Sequence, residues 1–142
     1  ACATCDGFFF RGEDIAVAGG GDTAMEEALY LTNFGRSVTL IHRRDEFRAS
    51  KVMQDRVFKN PKIKVLWSTV IEEIKGDGKK MTALRLKNIK TGESSDHPFG
   101  GFFVAIGHTP NTDLFKGQLA LNAAGYIETP DGGRTATEIP VF

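Results

Sequence analysis

Apolar positions change period along this chain, and each change marks an element. Ile15–Ala18 is a short continuous apolar run of the kind that suits a buried parallel strand, and Arg11-Gly12-Glu13-Asp14 is a turn leading into it. Beyond three glycines the period becomes helical. Ala24, Ala28 and Leu31 share one face, Met25 and Leu29 flank it, and Gly35 is the expected stop. Glu26 and Glu27 near the helix start suit its dipole. Ser37–Ile41 reads as a second strand. Asp45 is expected to cap a second helix reaching about Phe58, which Asn60-Pro61 ends, and Ile63–Trp67 completes a β-α-β-α-β unit.

From Thr69 the period falls to two. Ile71–Ile74, the turn Gly76-Asp77-Gly78 and Met81–Ile89 predict antiparallel strands, with Leu84 and Leu86 alternating against Arg85 and Lys87. Thr91-Gly92 makes another turn, and Ser94–Phe99 is polar enough for an edge strand. Phe102–Ile106 returns to an apolar run suited to a buried strand; Leu119–Asn122 and Tyr126–Thr129 read as short strands, and Asp131–Arg134 as a loop. The pattern predicts an α/β fold: a Rossmann-like, three-layer dinucleotide-binding domain with a parallel sheet and an antiparallel β-meander.

Composition narrows the function classes. The 142 residues can bury one core, or one domain with part of another. Lys+Arg 18 balance Asp+Glu 18, so no overall field favours nucleic acid or an anionic membrane. No apolar run approaches a membrane span and no signal peptide is visible. The chain opens at Ala1 without Met and stops at Phe142 within a strand-like run, so a fragment or excised piece is expected. Phe8-Phe9-Phe10 is expected to be core, lining of a flavin site being the second reading.

The chemistry begins at Gly19-x-Gly21-x-x-Ala24, which sits between strand and helix as a dinucleotide turn must. Gly19 permits the bend, Gly21 lets the backbone approach a pyrophosphate, and Ala24 allows close helix–strand packing. Asp22 is expected to cap the helix, whose first-turn N–H groups, with Gly20 and Thr23 in the same turn, face the phosphates. An Asp or Glu about 20 residues beyond the glycines would read a free ribose 2′-hydroxyl. Here His42, Arg43 and Arg44 stand there, with Arg48 a turn later. Guanidinium forks bind a 2′-phosphate that a carboxylate would repel, so the coenzyme expected is NADPH rather than NADH. Ile106 and Gly107, at the carboxyl end of their strand, are placed near its nicotinamide half. His108 is read as a hinge or turn residue rather than a proton shuttle.

Both cysteines lie in Cys2-Ala3-Thr4-Cys5. Two thiols at this spacing can cycle between dithiol and disulfide, the alternative being an inert pair. Zinc is not expected: no second cysteine pair exists, and His42, His97 and His108 lack ligand spacing.

Cys2-Ala3-Thr4-Cys5-Asp6-Gly7-Phe8-Phe9, the glycine turn, His42-Arg43-Arg44 through Arg48, and Val104–Thr112 together resemble the low-molecular-weight (bacterial-type) thioredoxin reductases, in the same order and over essentially the whole chain. Related alkyl hydroperoxide reductase flavoproteins usually carry Pro-His between the cysteines, where this chain has Ala-Thr. The resemblance implies electron transfer from NADPH to FAD, to a Cys2–Cys5 disulfide, and on to thioredoxin. Cys5 would face the flavin, Cys2 would attack the partner and Asp6 would move protons. It further implies a domain that rotates between two flavin-facing positions, a cytoplasmic setting and a full-length homodimer. Residues 1–107 would be the NADPH-binding domain, and 108–142 a hinge with a truncated part of a discontinuous FAD domain. The family's Pro-Gly-Val-Phe is Pro140-Val141-Phe142 here, and neither the Ala-Gly-Asp segment nor an FAD glycine fingerprint is present. The chain is therefore not expected to hold FAD, nor to turn over without the FAD domain. A stand-alone NADP(H)-binding redox sensor and an incomplete, inactive product are the rival expectations.

Overall fold

Burial on both faces is what makes the Ile15–Ala18 run the middle of a sheet. The computed structural model describes residues 2–107 and 110–129. Strand β1 (Asp14–Gly19) pairs in parallel with β2 (Ser37–Ile41) on one side and with β7 (Gly101–Ala105) on the other. Strand β3 (Ile63–Leu66) joins β2, giving the order β3-β2-β1-β7. Ile15, Val17, Val38, Leu40 and Phe103 point to one face, where helix α2 (Asp22–Leu31) supplies Ala24, Met25, Ala28 and Leu31, and helix α3 (Lys51–Lys59) supplies Val57. Ala16, Ile41 and Phe102 point to the other. There they meet Leu84, Leu86 and Ile71 from an antiparallel meander, β4 (Thr69–Gly76), β5 (Met81–Asn88) and β6 (Ser94–Pro98). Helices, parallel sheet and meander are the three layers expected of the α/β fold.

Several local expectations are overturned by tertiary partners. Asp22 is the first helical residue, with Gly21 at the cap position; its carboxylate accepts from the backbone N–H and hydroxyl of Ser50, both at 2.8 Å. Asp45 caps nothing. Ser50 stands at the start of α3, and Asp45 pairs with Lys90 at 2.8 Å. Helix α2 ends at Leu31, before Gly35, where the Thr32 hydroxyl donates to the Leu29 carbonyl at 2.6 Å. Gly35 keeps no left-handed conformation; a Cβ there would press on Ile15.

Phe8 and Phe9 are exposed rather than core, while Phe10 packs edge-on against Phe103 at 5.3 Å. They lie on a 3-10 turn, Gly7–Phe10, following helix α1 (Ala3–Asp6). Only one of the three rings can reach the sheet from such a turn. Strand β7 lies at the sheet edge, so Val104 is exposed and the strand is not wholly buried. Residues 110–129 belong to a second unit. In place of the two short strands it carries an isolated bridge between Leu121 and Ile127. The Asn122 side chain takes the N–H groups of Ala124 and Tyr126 and so holds the turn between them. His108, Asp131–Arg134 and Pro140-Val141-Phe142 lie outside the described residues.

Candidate functional site

The carboxyl ends of parallel strands are where an open α/β sheet offers a crevice, because the chain leaves them in diverging directions. Here the crevice is a cleft of about 560 Å³ in the first unit. It is lined by Ala18–Gly21, by Val104–Gly107, by Thr69–Ile71, and by the segment after β2. Ten residues singled out in the sequence meet there: Gly19, Gly20, Gly21, Thr23, His42, Arg43, Arg44, Arg48, Ile106 and Gly107. Asp22 and Ala24 do not line it. They hold the turn from behind, Asp22 through Ser50 and Ala24 by packing under Gly19.

The three glycines do different work. Gly19 has φ +154°, and a Cβ on it would lie 2.7 Å from that of Ala24 while striking the Ala105 carbonyl. Gly19→Ala is expected to cost about 1–3 kcal/mol or more of stability, since the obstacles are backbone and a packed methyl rather than a mobile chain end. Urea unfolding of the variant checks this, and an unchanged midpoint contradicts it. Gly21 has nothing within 4 Å of a Cβ position. That open space beside the first-turn N–H groups of α2, which have no acceptor one turn back, is where a diphosphate fits. Gly20, expected in the turn that faces the phosphates, carries a second constraint. In the structure a Cβ on it would enter the His42 imidazole.

Arg43, Arg44 and Arg48 are exposed, and among the described residues none is in an ion pair. They sit on an irregular segment, not a helix start, and that segment is fastened to the glycine turn: the N–H groups of Arg48 and Ala49 donate to the Gly20 carbonyl at 2.8 and 3.1 Å. Of the two carboxylates between them, Asp45 and Glu46, Asp45 pairs with Lys90 at 2.8 Å. His42, placed by the sequence at the ribose-reading position, lines the cleft. It is buried, and desolvation, helped by Arg44 and Arg43, pushes its pKa below the usual histidine value. The positive charge at the cleft comes from the guanidiniums.

Thr69–Ile71 also line the cleft, although nothing in their sequence marks the meander as part of a binding site. The available signal was position: β3 and β4 are separated only by Trp67 and Ser68, so the start of β4 emerges beside the ends of β1 and β2.

The two cysteines are exposed free thiols and do not line the cleft. Cys2 caps α1. The Cys5 thiol donates to Cys2 Sγ at 2.8 Å and the Cys5 backbone N–H donates to the same sulfur at 3.4 Å. Both donations stabilise a thiolate on Cys2 and hold its pKa below the ordinary thiol value; the same pairing raises that of Cys5. Asp6 accepts the Cys2 backbone N–H at 2.9 Å, which fixes the helix start. Among the described residues no cluster could hold a metal ion.

The sequence profile of the pyridine nucleotide-disulphide oxidoreductases matches residues 1–140. The chain is 56% identical over 138 residues to a thioredoxin reductase of Streptomyces coelicolor, covering 97% of this chain and 42% of that protein. It is 54% identical over 141 residues to that of Rickettsia typhi, covering 97% and 46%. Among solved structures, a Lactococcus lactis thioredoxin reductase superimposes with TM-score 0.84 at 50% identity, over 98% of this chain and 45% of that one. One from Giardia duodenalis gives 0.86 at 41% identity, over 99% and 46%. The chain thus spans less than half the length of these relatives.

Proposed function

The chain belongs to the pyridine nucleotide-disulphide oxidoreductase family, and from that premise we propose that it is the NADPH-binding, dithiol-bearing part of a thioredoxin reductase. The observation that carries this is one compact unit holding both a cleft of about 560 Å³, flanked by guanidiniums that have no ion pair among the described residues, and an exposed, asymmetrically activated thiol pair. Residues 1–107 form the coenzyme domain in this reading, and 108–142 the hinge and the return into an FAD domain. The cytoplasm is the proposed compartment, and no helix among the described residues is long and apolar enough to cross a membrane.

The residues fit the coenzyme. Gly19, Gly20, Gly21 and Thr23 offer a backbone turn to the diphosphate, Arg43, Arg44 and Arg48 a 2′-phosphate site, and Ile106 and Gly107 an apolar ledge for the nicotinamide. When bound, NADPH supplies a hydride, and FAD of the full-length homodimer relays its electrons. The chain's own part is disulfide exchange. Cys2 thiolate attacks one sulfur of the partner disulfide, forming a mixed disulfide and releasing a partner thiolate. Cys5, deprotonated, attacks Cys2 Sγ, closing the Cys2–Cys5 disulfide and releasing the second partner thiol. Two electrons pass to the partner. Asp6, adjoining Cys5 in sequence and fixed at the Cys2 backbone, is the group proposed to move protons. Phe8 and Phe9, exposed close to the thiols, give a protein such as thioredoxin an apolar surface to rest on.

The test is reconstitution. The purified chain is expected to bind NADPH yet leave a disulfide dye unreduced, even with free FAD. Adding a complementary FAD domain restores turnover. Dye reduction by the chain alone overturns the requirement for that domain; binding with no turnover after complementation points to a passive NADP(H)-binding sensor.

A further inference from the structure

We propose that His42 is a positioning residue for coenzyme selection: an imidazole wedged between the glycine turn and the arginine segment, setting where Arg43, Arg44 and Arg48 stand. This rests on the assignment of those arginines to a 2′-phosphate.

The wedge is built from several directions. His42 immediately follows β2, and its backbone is held on both sides: its N–H donates to the Leu66 carbonyl at 2.9 Å, and its carbonyl accepts from Thr69 at 3.0 Å. The residue is 8% exposed. It stacks against Phe47 at 5.4 Å and meets Trp67 at 6.2 Å. Its Nε2 lies 2.9 Å from the Glu46 carbonyl, which can only accept, so Nε2 carries the hydrogen. That bond closes a loop over residues 42–46, with Arg43 and Arg44 inside it. The second fastening, from Arg48 and Ala49 to the Gly20 carbonyl, secures the other end. Gly20 belongs to both: its carbonyl receives the segment, and its missing side chain leaves room for the ring.

Burial lowers the pKa of the imidazole most, and the charged groups that add to this are Arg44 and Arg43, against the opposing backbone hydrogen bonds of Glu46 and Gly19. Phe47, Trp67 and the glycine turn bring no ionisable side chain, Glu46 contributes its carbonyl, and Asp45 is turned to Lys90. Charge is therefore left to the guanidiniums, while His42 determines geometry. An error of an ångström in such a site costs an order of magnitude or more.

Two substitutions separate position from direct ligation. His42→Gln keeps an amide donor near Nε2 and is expected to retain NADPH affinity within about threefold. His42→Leu keeps bulk but no donor, and is expected to lose about tenfold in NADPH affinity with little change for NADH. Gly20→Ala should match His42→Leu, and the loss should shrink in a His42→Ala background, where the ring is gone. Equal losses in His42→Gln and His42→Leu, or none in either, overturn the proposal. So does a Gly20→Ala defect that His42→Ala leaves unrelieved.

The single tryptophan, Trp67, gives a readout without substitution or coenzyme. Its fluorescence should titrate with a midpoint below 6.5, because the buried ring takes up a proton only after an exposed histidine has done so. This transition should vanish in His42→Gln. A midpoint at or above 6.5, or one that persists in His42→Gln, overturns the proposal. If Arg43→Ala/Arg44→Ala weakens NADPH and NADH equally, the 2′-phosphate assignment fails instead. If it weakens NADPH selectively while His42→Leu does not, the positioning role alone fails.

Discussion

Arg43→Ala/Arg44→Ala is expected to weaken NADPH binding by about a hundredfold or more and NADH binding by about threefold at most. Charge-assisted hydrogen bonds contribute roughly 1.5–3 kcal/mol each, and about 1.4 kcal/mol is a factor of ten, so losing two gives a hundredfold or beyond. Both guanidiniums are free of internal ion pairs among the described residues, so they need break nothing to engage a ligand. They are also exposed, so the discrimination should shrink as salt screens them. Calorimetric titration with both coenzymes at low and high salt provides the measurement. Equal losses for the two would remove the phosphate assignment, and salt-independent discrimination would assign it to shape instead of charge.

The parts of this site that the sequence discloses are those whose cause is local. Ile15–Ala18 is a continuous apolar run and Ser37–Ile41 is rich in β-branched residues because their strands are covered on both faces, and their ends lie within one residue of expectation. Gly19, Gly21 and Ala24 are recognisable because turn, approach and packing all occur within six residues. The parts that stay hidden depend on distant partners. Asp22 and Asp45 look like helix caps, but Ser50 and Lys90 claim them across the fold. Gly20 owes its constraint to a ring twenty-two residues further along the chain. His42 stands beside two arginines in a run that reads as basic; only the packing of Phe47 and Trp67 around it reveals that it is buried, with its pKa held below the usual histidine value. Phe8 and Phe9 show the opposite error, since apolar character predicts burial and a short 3-10 turn cannot deliver it to every ring.

Cys5→Ser is expected to trap a partner disulfide as a stable mixed disulfide through Cys2, whereas Cys2→Ser traps at least about tenfold more slowly at pH 7 through Cys5. Exchange requires a thiolate, and the pair is built so that one sulfur receives and the other donates. Cys2 accepts the Cys5 thiol hydrogen and the Cys5 backbone N–H; Cys5 gives up its hydrogen and faces a neighbouring negative charge when Cys2 ionises. A serine at position 5 still offers an O–H donor, so Cys2 keeps much of its activation and lacks only the sulfur needed to resolve the bond. A serine at position 2 removes the accepting sulfur and leaves Cys5 beside Asp6, with its backbone donor pointing elsewhere. Cys5→Ala separates donation from resolution, because a methyl can do neither. Its trapping rate should fall below that of Cys5→Ser near pH 7, with its pH profile displaced upward. Mass-spectrometric counting of adducts over time, at several pH values, measures all three. Faster trapping by Cys2→Ser would reverse the roles of the two sulfurs, and matched pH profiles for Cys5→Ser and Cys5→Ala would show that the Cys5 donor contributes nothing to activating Cys2.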